Sequence, residues 1–511
     1  MSEQPSEEAP WQRLSPQSLK VTALLMVAAA IAGAVPTAIG ISSATGWPIA
    51  LTIVTAGAVV LIATVTAFDA VRLNITRYRV TDTRVEMTTG LLFKQRRSLA
   101  RERIRSVDLT AHPLLRYFGV VKVKVGTGES GSASTATNQQ TLTLDPVSRA
   151  EADRLRAELL RRDTTDDAEQ TERHLATWQP RWLRYAPLSF LTPTLAAAAI
   201  GLTFQVSDWF GRGGLPVEIV HNLINDHGLW QVLGTGLATL LLLGVIGSLA
   251  FQGEAWWNHR LDREPGGTLR VRRGLLVSRS LSLEEKRIRG IDIVEPLGIR
   301  SAKAARLDVV AIGLKSQQNP DLTTLVPAAP RTVVTTAAEA VIGSTDVDLT
   351  PHPRGARTRR LRWACLVLLI MLAIITGVPQ LWSTPDTVNR IIVICAALIN
   401  LTAVWAAVDS YNALGHGFNR GYLVTRKGSI RRSTVHLDRT GIIGWRIKQS
   451  IFQRRLGLAT LDATTAAGKG HYAVLDADEH EVIDFADNAV PGLLEPFIIR
   501  PQPDATTENP R

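Results

Sequence analysis

Two kinds of hydrophobic patterning divide the chain. Six stretches consist almost entirely of apolar residues, and each is long enough to cross a bilayer as a helix, which takes about 20 residues. They lie roughly at 20–41, 48–69, 187–206, 229–251, 362–381 and 390–409. The stretches come in three pairs, and each pair precedes a region in which apolar and polar residues alternate over short distances. The pattern predicts three transmembrane hairpins, each followed by a β-rich module.

The alternation is clearest in the first β-rich region. Residues 121–125 read VKVKV, which predicts a strand with one buried face and one solvated lysine face. The segment 146–162 then predicts a helix with Pro146 near its start and Leu155, Leu159 and Leu160 on one apolar stripe. For each module we therefore predict an α+β fold, a small antiparallel barrel or bent sheet closed by one C-terminal helix.

Five positions recur with identical spacing in all three modules. The three sets are Gly90, Leu99, Ile104, Val107 and Arg116; Gly274, Leu283, Ile288, Ile291 and Arg300; and Gly428, Leu437, Ile442, Trp445 and Arg454. A shared spacing over three copies indicates that one unit has been triplicated, membrane pair included. The three glycines are predicted to supply a positive φ in a hairpin turn.

These patterns define a domain organisation. We predict a cytoplasmic tail at 1–19, then hairpin 1 at 20–70 and module 1 at 71–162, with a linker at 163–186. Hairpin 2 spans 187–252 and module 2 spans 253–343, followed by a linker at 344–361. Hairpin 3 spans 362–409, module 3 spans 410–500, and a disordered tail occupies 501–511.

The distribution of charge orients this arrangement. The formal net charge is +11, and the lysines and arginines cluster at the outer flanks of the pairs, whereas the turns within the pairs carry almost none. The positive-inside rule then places both termini and all three modules in the cytoplasm. Nothing in the sequence matches a nucleic-acid-binding motif, so we expect no nucleic-acid partner.

Catalytic and metal-binding signatures were sought and are not found in the sequence. It contains no nucleophile elbow, zinc-protease motif or P-loop. His436, His471 and His480 match no ligand spacing, and the two cysteines both fall inside predicted membrane helices. We therefore expect no enzyme, no cofactor and no metal.

A transporter is the main alternative from another class. Coupled transport usually leaves ionisable residues at membrane depth, but here Asp69 and Asp409 lie at the span ends, and Asn400 is the most polar interior residue. A small-solute transporter, or an accessory subunit of a membrane export or processing complex, remains an open alternative to a binding protein.

Two groups of arginines are candidates for an anionic-lipid or partner surface. The first contains the recurring Arg116, Arg300 and Arg454, and the second contains Arg96 and Arg97 on a predicted strand. Basic side chains beside a membrane attract anionic headgroups, at about 1 kcal/mol each. The alternative is structural: the recurring arginines pair with carboxylates or cap backbone carbonyls, and the strand arginines are solvated.

The quoted segments resemble a known family. VTDTRVEMTTGLLFKQRRSLARERIRSVDLTAHPLLRYFG in copy one, RVRRGLLVSRSLSLEEKRIRGIDIVEP in copy two and QSIFQRRLGLATLDATTAAG in copy three are similar to the bacterial pleckstrin-homology-like (PH-like) membrane proteins, the bPH2 or YdbS/YdbT-like group. The three-module form looks like the longer of the two proteins for which this group is named. Copy two departs from the pattern after Arg300, where Lys303 replaces the glycine that stands at 119 and 457.

The resemblance implies a PH-like fold for each module, a bent barrel with a helix at one end. It does not imply phosphoinositide binding, because a fold can be inherited without its ligand. We expect a non-enzymatic membrane protein that presents three modules for protein or lipid interaction. Its expected partners are membrane lipids and either a shorter single-module homologue or a second copy of itself, and the resemblance suggests a role in envelope integrity or defence.

Overall fold

The computed structural model describes residues 10–81, 83–90, 94–101, 104, 106–126, 141–160, 173–264, 267–314, 323–381 and 386–497. The predicted tail at 501–511, residues 1–9 of the predicted N-terminal tail and residues 163–172 of the first linker lie outside this part, as does the side chain of Leu160. Helices and antiparallel sheets make up the described chain, in agreement with the predicted α+β class combined with membrane helices.

The first hairpin and module 1 contain two long helices, then strands with two shorter helices. In chain order they are β1 Gln12–Arg13, α1 Ser18–Thr45, α2 Trp47–Ile75, β2 Arg77–Val80, β3 Arg84–Thr89, β4 Gln95–Ala100, β5 Ser106–Ala111, α3 Pro113–Tyr117, β6 Val120–Gly126, β7 Thr141–Ser148 and α4 Arg149–Leu160.

The described part of the first linker begins with a strand, and the second hairpin and module 2 follow it. Its elements are β8 Arg173–Thr177, α5 Leu191–Trp209, α6 Leu215–His227, α7 Leu229–Trp256, β9 Arg260–Glu264, β10 Thr268–Arg273, β11 Ser278–Glu284, β12 Ile288–Pro296, α8 Leu297–Ser301, β13 Ala304–Ala311, β14 Thr324–Pro330 and α9 Arg331–Ile342.

The third hairpin and module 3 repeat the order of the first hairpin and module 1 from α1 onward. Their elements are α10 Arg354–Leu381, α11 Asp386–Asn412, β15 Gly415–Asn419, β16 Tyr422–Lys427, β17 Arg431–Asp438, β18 Ile442–Lys448, α12 Ile451–Arg454, β19 Leu458–Thr465, β20 His471–Asp478 and α13 Glu479–Ala489.

Five helices of the described chain are long and apolar enough to cross a membrane. The spans are Ser18–Ser42, Trp47–Ile75, Leu229–Trp256, Arg354–Gln380 and Asn389–Asn412, and each buries little of its surface against protein. The sixth predicted span, at 187–206, corresponds to α5, which has 19 residues and is not among the five. Its polar positions, among them Gln205 and Asp208, and its alanine-rich sequence lower its apolar character.

The connection between α5 and α7 also differs from the expected loop. It contains α6, a 13-residue helix with no buried residues. Val217, Ile219 and Val220 are exposed on it. A helix with an exposed apolar stripe is typical of segments that lie in a membrane interface.

Module 1 confirms the predicted alternation and corrects the start of its last helix. Val121, Val123 and Val125 are buried, whereas Lys124 is exposed. Pro146, expected near the helix start, lies instead in β7, which continues to Ser148. The helix α4 begins at Arg149 and buries Leu155 and Leu159 in the core of the module.

The chain divides into two compact units, and the division runs through module 2. One unit is Met1–Arg287 with Ser301–Ala304 and Leu325–Val333, and the other is Ile288–Arg300 with Ala305–Thr324 and Val334–Arg511. Each unit contains a sheet to which two successive modules contribute strands.

In the first unit, seven strands run in the order β7–β6–β5–β11–β10–β9–β8. The pairing of β5 with β11 joins module 1 to the first half of module 2, and we call it the first joint. In the second unit, β12 of module 2 pairs with β17 of module 3, and we call this the second joint. Both pairings are antiparallel, and they make the sheets continuous across module boundaries.

Candidate anion-binding site

One of the recurring glycines forms the turn beside the site. Gly90, Gly274 and Gly428 have φ values of 115°, 106° and 98°, which confirms the predicted positive φ. At Gly274 an added Cβ would lie 1.9 Å from the carbonyl oxygen of Val277. Only glycine therefore fits this tight β10–β11 turn without backbone movement.

The β10–β11 turn lies against the end of the membrane helix α7. The backbone N–H of Gly274 donates to the carbonyl of Trp257 at 2.9 Å, and the N–H of Leu275 donates to that of Glu254 at 3.0 Å. The Glu254 carboxylate accepts from the backbone N–H of Val277 at 3.0 Å. These bonds hold the first residues of β11 beside the end of a predicted span.

A cavity of about 590 Å³ opens behind this turn, within the first unit. Strands β5, β10 and β11 and helix α4 contribute to its wall. Six arginines line it, together with a single acidic residue, Asp153. The arginines are Arg116, Arg149, Arg270, Arg272, Arg273 and Arg279.

Part of this positive charge is already balanced. Arg270 donates to Glu264 at 3.0 Å, and Arg272 donates to the buried Asp262 at 3.1 Å. Arg273 stacks over the Trp256 ring, with its guanidinium carbon 4.0 Å from the ring centroid. Counted with these two carboxylates and Asp153, the described residues around the cavity still include more arginines than acidic side chains.

One further carboxyl lies close to these arginines. Asp108 on β5 is opposite Leu281 at the first joint. Burial raises the pKa of its carboxyl, although Lys124, Arg279 and Arg273 oppose that shift. Burial thus opposes the charged form of this carboxyl, whereas the neighbouring cations favour it.

The cavity has the size and charge for an anionic group. Small-molecule sites are typically about 300–1,000 Å³, and arginine guanidinium groups bind phosphate and carboxylate oxygens through paired hydrogen bonds. Within the described residues, no group of three or more histidine, cysteine, aspartate or glutamate side chains is arranged to hold a metal ion.

The structure separates the five arginines predicted from sequence. Arg116 lines the cavity, and its Nη1 donates to the carbonyl of Leu275 at 2.6 Å. Arg300 donates instead to Asp409 at 2.9 Å, near the end of α11. Arg454 is exposed at the end of α12. The carbonyl and carboxylate contacts that sequence analysis gave as the structural alternative thus occur at Arg116 and Arg300.

The two strand arginines lie on β4, away from the cavity lining. Arg96 donates to Glu86 at 2.8 Å and stands over the Trp11 ring. The hydrogen bond from Arg96, with help from Arg79, lowers the pKa of the Glu86 carboxyl despite its burial. Arg97 is half-buried on the same strand.

Five of the six cavity arginines were not predicted from the sequence: Arg149, Arg270, Arg272, Arg273 and Arg279. For the last four, a signal was present in the alternation of the segment TLRVRRGLLVSRS, residues 268–280. It could not be interpreted, because the wall forms only when β11 of module 2 pairs with β5 of module 1.

Membrane-length helices, antiparallel sheets and an arginine-lined cavity at a helix end are together compatible with a membrane protein that carries β-rich modules. A family model described as "Bacterial PH domain" matches residues 23–163 and 366–487, more than half of the chain. The chain belongs to this bacterial PH-domain family, as the resemblance indicated. No curated protein and no solved structure matches it.

Proposed function

We propose that this chain is a non-enzymatic integral membrane protein of the bacterial cytoplasmic membrane whose cytoplasmic PH-like modules bind anionic lipid. In this proposal α5 also spans the membrane and pairs with α7 in hairpin 2, giving six spans with both termini inside. The arginine-lined cavity receives the phosphate of a headgroup. The basic flanks of the apolar helices support the orientation.

The single observation that carries the proposal is the place of the cavity. Its arginines lie behind a turn that is hydrogen-bonded to the end of α7, where a headgroup would be. The exposed Leu275 and Leu276 at the same turn add apolar side chains that suit the membrane interface. A phosphate source dissolved in the cytoplasm would need neither feature.

The test uses the full-length protein purified in a neutral detergent. Phosphatidylglycerol is titrated in, and lipid binding is followed by native mass spectrometry and by the shift in melting temperature. In the variant Arg149→Gln/Arg279→Gln, two exposed cavity arginines are lost. At about 1 kcal/mol for each basic residue, binding weakens by roughly thirtyfold.

The matched control is Arg154→Gln/Arg173→Gln, which removes the same charge from two exposed residues outside the cavity lining. It should bind the lipid as the wild type does. Inorganic phosphate and glycerol phosphate are titrated in parallel to separate a headgroup from a free anion. Equal losses in both double variants would show that only net charge matters, and would overturn the proposal.

A further inference from the structure

The two joints are built in the same register. At the first joint, Leu109 lies opposite Ser280 and Asp108 opposite Leu281. At the second joint, Ile293 lies opposite Thr434 and Asp292 opposite Val435. These residues occupy equivalent positions in the repeat, counted from the recurring glycine and from Val107 and Ile291. One module therefore joins the next in the same way at both joints: β5 pairs with β11, and β12, the equivalent of β5, pairs with β17, the equivalent of β11.

Module 3 contains the equivalent of β5 and β12, but one edge of this strand is free in the described structure. This strand is β18, the outermost strand of its three-stranded sheet in the described structure. Leu109 and Ile293 are 9% and 6% exposed at the joints, whereas their equivalent Ile447 is 47% exposed. The apolar side chain that the joints bury is kept at a position that nothing described in this chain covers.

The surroundings of β18 extend this apolar surface. Ile443 on the same strand is 64% exposed, and Ile451 and Phe452 on the following helix α12 are 71% and 61% exposed. Arg454 ends that helix. Its equivalents Arg116 and Arg300 both bond to groups of the next repeat, the carbonyl of Leu275 and the carboxylate of Asp409.

We propose that the β18 edge docks a PH-like module of another polypeptide, which pairs through its own equivalent of β11 and β17 in the register of the two joints. Ile443, Ile447, Ile451 and Phe452 form the apolar part of this docking surface. The occupant is a module because two such joints already exist within the chain, and both use the same strand and the same register.

The charges on the edge define the docking strand further. Arg446 and Lys448 share one carboxylate, that of Asp462, at 2.8 Å and 3.0 Å. Two cations on one anion leave the edge positive. The docking strand therefore carries an acidic side chain opposite Arg446 or Lys448, since opposite charges on paired strands attract and like charges repel.

A second copy of this chain does not meet that requirement. Its equivalent strand is β4, on which Arg97 stands where Leu281 and Val435 stand at the joints. Docked in the same register, Arg97 would face Arg446 and Gln95 would face Lys448. Inward-facing charge on an edge strand is a known protection against unwanted strand pairing.

This mismatch provides the probe. The full-length variants Arg97→Glu and Gln95→Glu each turn β4 into an acidic docking strand, the first opposite Arg446 and the second opposite Lys448. Both are purified in detergent and examined by analytical ultracentrifugation, with hydrogen exchange measured on residues 442–448. Wild type and the control Arg97→Gln remain monomeric. Each acidic variant self-associates, with a dissociation constant at least about tenfold lower, and protects the β18 amides.

Reversal confirms the register. Adding Arg446→Glu to Arg97→Glu restores like charges and should return the protein to monomers, with melting temperature as the check on folding. If neither acidic variant associates, or if association leaves the β18 amides unprotected, the docking edge is wrong. If wild type already associates with protected β18 amides, the occupant is a second copy, and the assignment to another polypeptide is overturned.

Discussion

At the scale of single residues, one buried carboxylate connects a membrane-length helix with a module. Asp476 on β20 is 1% exposed. It accepts hydrogen bonds from Arg360 at 2.7 Å and from Gln453 at 2.7 Å, and also from Arg359. Both arginines lie in the first turns of α10. The contact therefore fixes the third membrane hairpin to the sheet of module 3.

We predict that Asp476→Asn destabilises this region strongly. The substitution keeps the shape but removes the charge, and it leaves two partly buried arginines without their anion. Removing one partner of a buried ion pair costs about 3–5 kcal/mol. Thermal unfolding in detergent should show a clear loss, whereas Asp484→Asn, at an exposed position on α13, should unfold like the wild type. Equal curves for the two variants would contradict the role given to Asp476.

The turn glycines allow a second test at this scale. At Gly428 an added Cβ would lie 2.1 Å from the carbonyl oxygen of Arg431. Gly428→Ala should therefore lower the stability by about 1–3 kcal/mol. Gly57→Ala in α2, where nothing lies within 4 Å of the added atom, serves as control and should change the melting temperature little.

Residue-scale predictions succeeded where the chemistry is local. A recurring glycine at a strand end predicts a turn because few other residues adopt a positive φ. The recurring arginine could be located but its partner could not. Arg116 and Leu275 are 159 positions apart in the sequence, and only the paired strands bring them together.

At the scale of elements, close packing through glycine defines the second hairpin. In α7, a Cβ added at Gly244 would lie 2.5 Å from the carbonyl oxygen of Thr192 on α5. Gly247 approaches Leu195 in the same way, at 3.0 Å. Small residues that allow backbones to approach are typical of helix pairs in membranes.

This packing can be tested by enlarging one side chain. Gly244→Val should force α5 and α7 apart, because the carbonyl of Thr192 cannot move without its helix. We expect a loss of about 2 kcal/mol or more in stability, as in other overpacked interiors. Gly236→Val on the same helix, with nothing within 4 Å, is the matched control. Should both variants unfold alike, the packing would not depend on Gly244.

Helices and strands could be predicted from the sequence where the spacing of their apolar residues is regular. The strands of module 1 and the five long helices follow from pattern alone. The helix α6 was missed because its 13 residues mix apolar and charged side chains between two apolar segments. Pro146 was placed in the helix because proline favours a first helical turn, but the pairing of β7 with β6 extends the strand past it.

At the scale of the whole molecule, buried histidines make stability depend on pH. His352 and His416 lie in the second unit with ring nitrogens 3.1 Å apart. Burial lowers the pKa of each to about 4, whereas the ordinary value is about 6.5. Between pH 6.5 and pH 4 the two histidines therefore bind protons in the unfolded chain but not in the native state. The stability that comes from keeping them neutral is complete above pH 6.5 and is lost as the pH falls toward 4.

We predict that the melting temperature of the wild type falls by several degrees, on the order of 5 °C, over this range. The variant His352→Gln/His416→Gln should show a smaller fall, because two of the groups that take up protons on unfolding are gone. His471→Gln, at an exposed position, should keep the slope of the wild type. The measurement is a melting curve at each pH, and parallel slopes in all three proteins would contradict the prediction.

The joints are the feature that sequence could least reveal. The triplication predicts three modules, and nothing in a repeat states whether a strand pairs within its own module or with the next. Val107 and Ile291 are apolar in either case. Only the structure shows that β5 pairs with β11 and that β12 pairs with β17.

The first joint also sets an order of events during synthesis. Strand β5 ends at residue 111, and its partner β11 begins at residue 278. Between them the ribosome must produce α5, α6 and α7, including a membrane-length helix. The edge of β5 in module 1 therefore stays unpaired until the second hairpin has been inserted and β11 has been made. Unpaired strand edges are prone to aggregation. Synthesis and insertion of the second hairpin must therefore precede the completion of the sheet of module 1, and the third hairpin stands in the same relation to module 2.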